Sequence, residues 1–195
     1  GFISWVAITY TLKFSWAPFL DRFDLPFFNI YLGRRRSWLI FSQVMTGVSI
    51  FMLANITPNS ENLLLFSFFA FLVAFFSATQ DVALDAYRIE IGKKEEQGML
   101  GASYQLGYRI ALIVSGALAL VIADNHSFEV SYKFMAALMM IGVFSTLLAP
   151  EPNKTVKKIN IKGNLFFALY VEPLKDLLSR HQNAVLIIIL ILLYR

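Results

Sequence analysis

The sequence predicts an all-α integral membrane protein: about five transmembrane helices of one bundle, a cytoplasmic linker, and the start of a second bundle. Three observations carry that prediction. Hydrophobic residues make up 57% of the 195-residue chain, and Phe alone supplies 19 of them, more apolar surface than a soluble core of this size can hide. The apolar residues gather in runs whose lengths approach the roughly 20 residues needed to cross hydrocarbon. Lys and Arg fall in alternate loops between those runs, as they do when basic loops stay on the cytoplasmic side.

The elements follow in order. The first run covers residues 1–20, with Pro18 near its exit. The second covers residues 37–55 and ends in the turn Thr57-Pro58-Asn59-Ser60. The third starts at Asn62 and reaches about Tyr87, its apolar part giving way to a polar tail that holds Gln80, Asp81, Asp85 and Arg88. The fourth covers about residues 101–123 and is expected to break at Tyr108-Arg109; the fifth covers about residues 134–148, closed by Pro150, and is short enough that flanking residues are expected to extend it. Each run is expected to be helical, because lipid offers no partner to free backbone groups and a helix closes them within the segment. The alternation of a membrane barrel strand is absent, as the unbroken Ile/Leu run over residues 187–193 shows.

The loops orient the bundle. Arg22, Arg34, Arg35 and Arg36 follow the first run, Arg88, Lys93 and Lys94 the third, and Lys154, Lys157, Lys158 and Lys162 the fifth. The loop after the second run holds Glu61 and no basic residue, and the loop after the fourth holds Lys133 beside Asp124 and Glu129. Residue 1 is therefore expected outside, with odd-numbered runs heading inward and the loops at residues 21–36, 88–98 and 151–182 in the cytoplasm.

Beyond Pro150 the composition changes. Residues 153–164 form a polar, Lys-rich linker, and residues 165–178 mix Phe, Leu and Tyr with Lys175 and Asp176. A helix lying on the inner membrane surface fits that mixture; a soluble linker helix packed on the protein fits it as well. Glu172-Pro173 is expected to start or kink the helix. Another apolar run occupies residues 184–194, too short to span. The chain opens inside an apolar run without Met, so both ends are expected to be cut. The expected organisation is a bundle over residues 1–150, a linker with its interfacial helix over 151–182, and the truncated start of a second bundle over 183–195.

Several function classes are disfavoured. A nucleic-acid binder would gather its basic residues on one soluble face. With no Cys there is no disulfide framework or thiolate metal site. The two His residues, His126 and His181, have no partner at metal-ligand spacing, and no cofactor is expected. A membrane-embedded enzyme would need a nucleophile, base or metal cluster near one interface. A membrane scaffold has little reason to keep Lys13 and Arg109 inside lipid.

The order of parts, and one loop, carry a resemblance. Asp21-Arg22 and Gly33-Arg34-Arg35-Arg36 resemble the loop G-x-x-x-D-R-x-G-R-R between the second and third helices of the major facilitator superfamily. Here about ten residues (23–32) intervene and the leading Gly is absent. The split form, Trp16-Ala17-Pro18-Phe19-Leu20-Asp21-Arg22, Leu25-Pro26-Phe27 and Leu32-Gly33-Arg34-Arg35-Arg36-Ser37-Trp38, is similar to the AmpG-type muropeptide permeases of that superfamily. Ala74-Phe75-Phe76-Ser77-Ala78-Thr79-Gln80-Asp81, Asp85-Ala86-Tyr87, Leu106-Gly107-Tyr108-Arg109 and Val171-Glu172-Pro173 agree with it. The resemblance implies a partial major facilitator fold in which the five runs are the second to sixth helices, the first is missing, and residues 184–194 begin the seventh. It further implies a proton-coupled importer of anhydro-muropeptides across the bacterial inner membrane, serving cell-wall recycling. Acetyl-coenzyme A and siderophore carriers share this branch and remain alternatives. The expected partners are the lipid bilayer, the muropeptide and protons, with a monomer expected for the full-length protein.

The candidate site residues are the charges placed within the runs. Lys13, Asp81 and Arg109 lie at depths where a charge costs several kcal/mol unless it faces a wet cavity or a partner. One reading lines a cationic cavity for substrate carboxylates with Lys13 and Arg109, with Gln80, Gln105 and Tyr108 bonding sugar and amide groups. The other makes Lys13–Asp81 or Arg109–Asp81 a static ion pair between helices. Asp81 and Asp85 are both candidates for the coupling proton. Asp85 and Arg88 stand three apart on one helical face, suiting a gating or anchoring pair near the inner interface. Asp21, Arg22, Gly33, Arg34, Arg35 and Arg36 form the candidate gating loop, in which the resemblance implies inner-face contacts that break as the carrier rocks; plain topological anchoring is the alternative. Gly101, Gly107 and Gly116 suit close helix packing.

Overall fold

The computed structural model describes residues 3–25, 32–152, 167–180, 185–186 and 189–190. The chain divides into two compact units between Lys154 and Thr155. The described residues of the first unit are helices joined by short turns, with no strand among them.

Helix α1 (Ile3–Leu12) ends in a single 3-10 turn, Lys13–Ser15, before the short helix α2 (Ala17–Arg22). The continuous first span expected over residues 1–20 is therefore broken. Pro18 supplies the reason: it has no N–H to donate to Phe14, four residues back, and its ring crowds that carbonyl. It sits instead in the first turn of α2, where a missing N–H costs nothing.

Four helices among the described residues are long and apolar enough to cross a membrane, one fewer than the five expected spans. Helix α3 (Arg34–Ala54) has 21 residues, about 31 Å at 1.5 Å per residue, matching a hydrocarbon core of about 30 Å. Helix α4 (Leu63–Ile91) has 29, about 43 Å, and so must project beyond the core. Its polar end with Asp85, Arg88 and Glu90 is the part that can leave lipid.

The fourth crossing is continuous from Lys94 to Asn125. It comprises a 3-10 turn (Lys94–Glu96), α5 (Gln97–Ile113), a π turn (Val114–Leu118) and α6 (Ala119–Asn125). The break expected at Tyr108-Arg109 does not occur. Polar side chains leave a helix's own backbone bonds intact, and the irregularity falls instead one turn later, in the segment holding Gly116. Helix α7 (Phe128–Leu148) extends the apolar run by six residues at its start, as its shortness predicts, and Ser127 sets the limit by accepting the Val130 N–H on its hydroxyl at 3.2 Å.

Helix α3 packs along both α4 and α7, α1 lies along α4, and α6 meets α7. The side of α3 turned inward is built from small polar residues: Ser37, Ser42, Thr46 and Ser49 are buried. Ser42, Thr46 and Ser49 return their hydroxyls to carbonyls of their own helix at 2.7–2.8 Å, satisfying themselves while letting backbones approach. Against α7, a Cβ on Gly47 would lie 3.4 Å from that of Met139, and Thr146 donates to the Gln43 side-chain oxygen at 3.1 Å. The tightest apolar cluster, Leu20, Leu39 and Ala83, joins α2, α3 and α4 where Trp16, Trp38 and Tyr87 surround it.

The second unit is described only in part. A π turn (Phe167–Val171) leads into helix α8 (Glu172–Arg180), with Lys175 placed over the Phe167 ring at 5.0 Å. The helix starts at Glu172 beside Pro173, one of the two outcomes expected there. The expected polar linker over residues 153–164 and most of the run over 184–194 lie outside the described residues.

Close packing of hydroxyl-bearing faces has a direct consequence. Ser42→Ala should change the melting free energy of the full-length protein in detergent by less than about 0.6 kcal/mol, since its hydroxyl bonds its own helix. Ser42→Leu should cost about 1–3 kcal/mol by overpacking the α3 interface.

Candidate functional site

The charged residues collect in two places, at the α3 N-terminus and along the inner half of α4. The first begins with an electrostatic problem. Helix α3 opens with Arg34, Arg35 and Arg36 and has no acidic residue in its first turn, although helix N-termini favour negative charge. Gly33, the residue before it, has φ 76°, a conformation open to glycine at little cost, and no side chain of its own to offer the helix amides.

Distant residues supply what the local sequence lacks. Glu151, which follows α7, accepts the backbone N–H of Arg35 at 3.0 Å and of Arg36 at 3.2 Å. It lies so near Gly33 that a Cβ there would collide with its side chain. Arg36 reaches the other way: its guanidinium donates to the carbonyls of Thr146 and Leu147 at 3.0 and 2.5 Å. Thus α7 gives a carboxylate to the positive end of α3, and α3 gives a cation to the negative end of α7.

Arg35 is buried at 4% exposure. Its Nη1 donates to Asp21 Oδ1 at 2.7 Å and its Nε to Glu90 Oε2 at 3.0 Å, while Nη2 pairs with Glu90 Oε1. The bidentate contact to Glu90 with a second carboxylate alongside suits the guanidinium fork. Arg34 donates to the Asp21 carbonyl at 2.8 Å, Trp38 to the Phe23 carbonyl at 2.9 Å, and Tyr87 to the Pro150 carbonyl at 2.8 Å. One cluster therefore ties α2, α3, α4 and the exit of α7. Arg22 ends α2 beside it, half-buried.

The second group lies along α4. Asp81, Asp85 and Arg88 follow at helical spacing on one face. Lys13, in the 3-10 turn after α1, stands 3.7 Å from Asp81, with side chains 24% and 38% exposed. Arg88 lies 3.6 Å from Asp85 and 5.5 Å from the centre of the Tyr104 ring on α5. Asp81 sits about 15 Å of helix from the inner end of α4, at 1.5 Å per residue. Two further bonds fix α1 and the turn after it against this helix, Tyr10 to Ser77 at 2.8 Å and Trp16 to Thr79 at 3.2 Å.

The structure thus brings Lys13 to Asp81 and Asp85 to Arg88, and it leaves Arg109 elsewhere. No ion pair joins Arg109 to Asp81 among the described residues. Of the two static pairs weighed for Asp81, only the one with Lys13 forms. Gln105, Tyr108 and Arg109 are exposed on α5, and Gln80 is half-buried on α4. Sequence reasoning missed Glu90, Glu151 and Tyr104. The signal for Glu151 was legible: a helix start with three arginines and no acid needs a carboxylate from another segment. Nothing in the sequence pointed to Tyr104.

Residues 1–194 match the family model of the Major Facilitator Superfamily. The chain is 40% identical over 196 residues to a protein of Escherichia coli (strain K12) named anhydromuropeptide permease, covering all of this chain and 38% of that protein. It is 38% identical over 181 residues to an uncharacterized protein of Haemophilus influenzae, covering 92% of this chain and 41% of that one. The chain therefore spans about two fifths of the length of these relatives. No solved structure matches it.

Removing Glu90 from the Arg35 cluster leaves the buried guanidinium with Asp21 as its single carboxylate. Glu90→Gln in the full-length protein should lower stability by about 1.5–3 kcal/mol, the worth of a charge-assisted contact. Glu151→Ala, which removes a helix cap, should cost about 0.5–2 kcal/mol. Thermal unfolding in detergent distinguishes the two.

Proposed function

Because this chain belongs to the Major Facilitator Superfamily, as a multi-pass protein of the bacterial inner membrane, we propose that the whole protein is a secondary transporter, not an enzyme, that imports anhydro-muropeptides with protons. The observation that carries the substrate is the 40% identity, running the full length of this chain, to a protein named anhydromuropeptide permease. In this reading residues 1–150 belong to the first bundle, residues 151–182 link it to the second, and residues 183–195 begin the second.

The polar groups along α4 and α5 support a binding role by their chemistry. Lys13 and Asp81 face each other at 3.7 Å without being closed off, a looser contact than a glued, dry pair would make. Arg109 holds its charge on an exposed face of α5, inside an apolar helix, where a cation needs a wet cavity or an anionic partner. Substrate carboxylates are such partners, and Gln80, Gln105 and Tyr108 offer hydrogen bonds to sugars and amides. Asp81, held by Lys13, is the carboxylate proposed to exchange the coupling proton: a substrate carboxylate that draws Lys13 away would release Asp81 for that exchange. Asp85, engaged by Arg88, is proposed to anchor the inner end. Asp21, Arg22, Gly33, Arg34, Arg35 and Arg36 are proposed as the inner clasp that must loosen when the carrier rocks.

Uptake of radiolabelled anhydro-muropeptide by the full-length protein in proteoliposomes tests this. The wild type should accumulate label under an inward proton gradient, and neither coenzyme A esters nor siderophores should compete. Lys13→Ala and Arg109→Ala should each lower uptake about tenfold, the worth of one charge-assisted contact. Unchanged uptake in both variants would remove the binding role. Asp81→Asn should lose gradient-driven accumulation while keeping substrate exchange, because an amide takes up no proton in this range; accumulation that survives would reassign the coupling.

A further inference from the structure

A groove of about 340 Å³ runs between α3 and α7, away from the charged groups described above. Its walls are apolar: Val44, Val48 and Phe51 on one side, Ala137 and Met140 on the other. It reaches from Phe51, near the outer end of α3, and Lys133, in the outer part of α7, to Gln43 at the middle of α3 and Val143 in the inner half of α7. That is roughly 12–15 Å of helix, about half of a 30 Å hydrocarbon core. An apolar slot of this length suits one hydrocarbon chain, whose methylenes need no polar partner along the walls.

The mouth of the groove is charged. Lys133 lines it, and its ammonium pairs at 2.5 Å with Glu129, one turn nearer the outer end. Their side chains are 39% and 56% exposed, so both retain open positions. A cation and an anion side by side, just above an apolar slot one leaflet deep, complement a headgroup that carries both signs. We propose that this groove holds one acyl chain of an outer-leaflet phospholipid whose headgroup bears a phosphate and a primary ammonium. The phosphate meets Lys133 and the ammonium meets Glu129. The slot's floor explains its shape: close approach at Gly47, where a Cβ would stand 3.4 Å from that of Met139, brings the helix backbones together and leaves the groove between their outward-facing side chains.

Native mass spectrometry of the full-length protein, titrated in detergent with phosphatidylethanolamine, phosphatidylcholine or phosphatidylglycerol, tests the assignment. Phosphatidylethanolamine should give the highest occupancy of a retained adduct on the monomer. Ala137→Trp, which fills the slot, should lower its affinity at least about tenfold by displacing several methylenes. Lys133→Ala and Glu129→Ala lie at the exposed outer end and need no refolding of the bundle. Each should lower phosphatidylethanolamine affinity about three- to fivefold, the worth of one exposed ion pair, and erase the preference over phosphatidylcholine. Equal binding of the three lipids by the wild type, tighter binding of phosphatidylglycerol, or adducts untouched by the charge substitutions would overturn the proposal. A lipid-independent dimer that Ala137→Trp dissolves would overturn it too, assigning the groove to a second copy.

Discussion

The architecture depends on a charge arrangement that looks unfavourable when α3 is considered alone. Three arginines sit at the end of a helix where anions belong. The fold resolves this by importing carboxylates: Glu151 takes the first free amides, and Asp21 with Glu90 encloses the buried Arg35 guanidinium. Because those acids come from separate segments, satisfying one helix end fixes the positions of three others. Arg36 returns the favour by covering the last carbonyls of α7. A structure held this way is stiff while the cluster is intact and loses several contacts together when any member leaves, a combination suited to a two-state element.

Away from this end the bundle is held differently. Hydroxyls on α3 bond their own helix and allow close approach, and the interhelical hydrogen bond between Thr146 and Gln43 is the deep polar contact of the α3–α7 pair. In lipid such packing supplies association without a hydrophobic drive between helices. Apart from the Lys13–Asp81 pair, the strongly polar contacts therefore concentrate at the helix ends, and the middle of the bundle relies on shape.

Much of this was legible in the residues. Run lengths and the alternation of basic loops gave the helical membrane class, and α3, α4 and α7 fall where the apolar stretches are. What failed was continuity. The first run reads as one span by composition, but Pro18 breaks it through backbone geometry that hydropathy does not register. Conversely, Tyr108-Arg109 reads as a break and is not one, because a helix tolerates polar side chains that its environment accommodates. At the candidate site, Lys13 and Asp81 were recognisable as charges in apolar runs, and their meeting follows from α1 lying along α4. The arginine end of α3 shows that some distant carboxylate is needed, but not which one: Glu90 and Glu151 act on segments far away in sequence, and a single carboxylate after Pro150 looks like part of a linker until the α3 end is placed against it.

The roles of the charged groups depend on orientation in the inner membrane, with the arginine end of α3 on the cytoplasmic side. The absence of native Cys in this segment permits a direct measurement: single Asn59→Cys and Lys93→Cys substitutions in the full-length protein, made cysteine-free elsewhere, labelled in intact cells with a membrane-impermeant maleimide. Asn59→Cys should label in intact cells, and Lys93→Cys only after the membrane is opened. Labelling of Lys93→Cys from outside, with Asn59→Cys protected, would contradict this orientation.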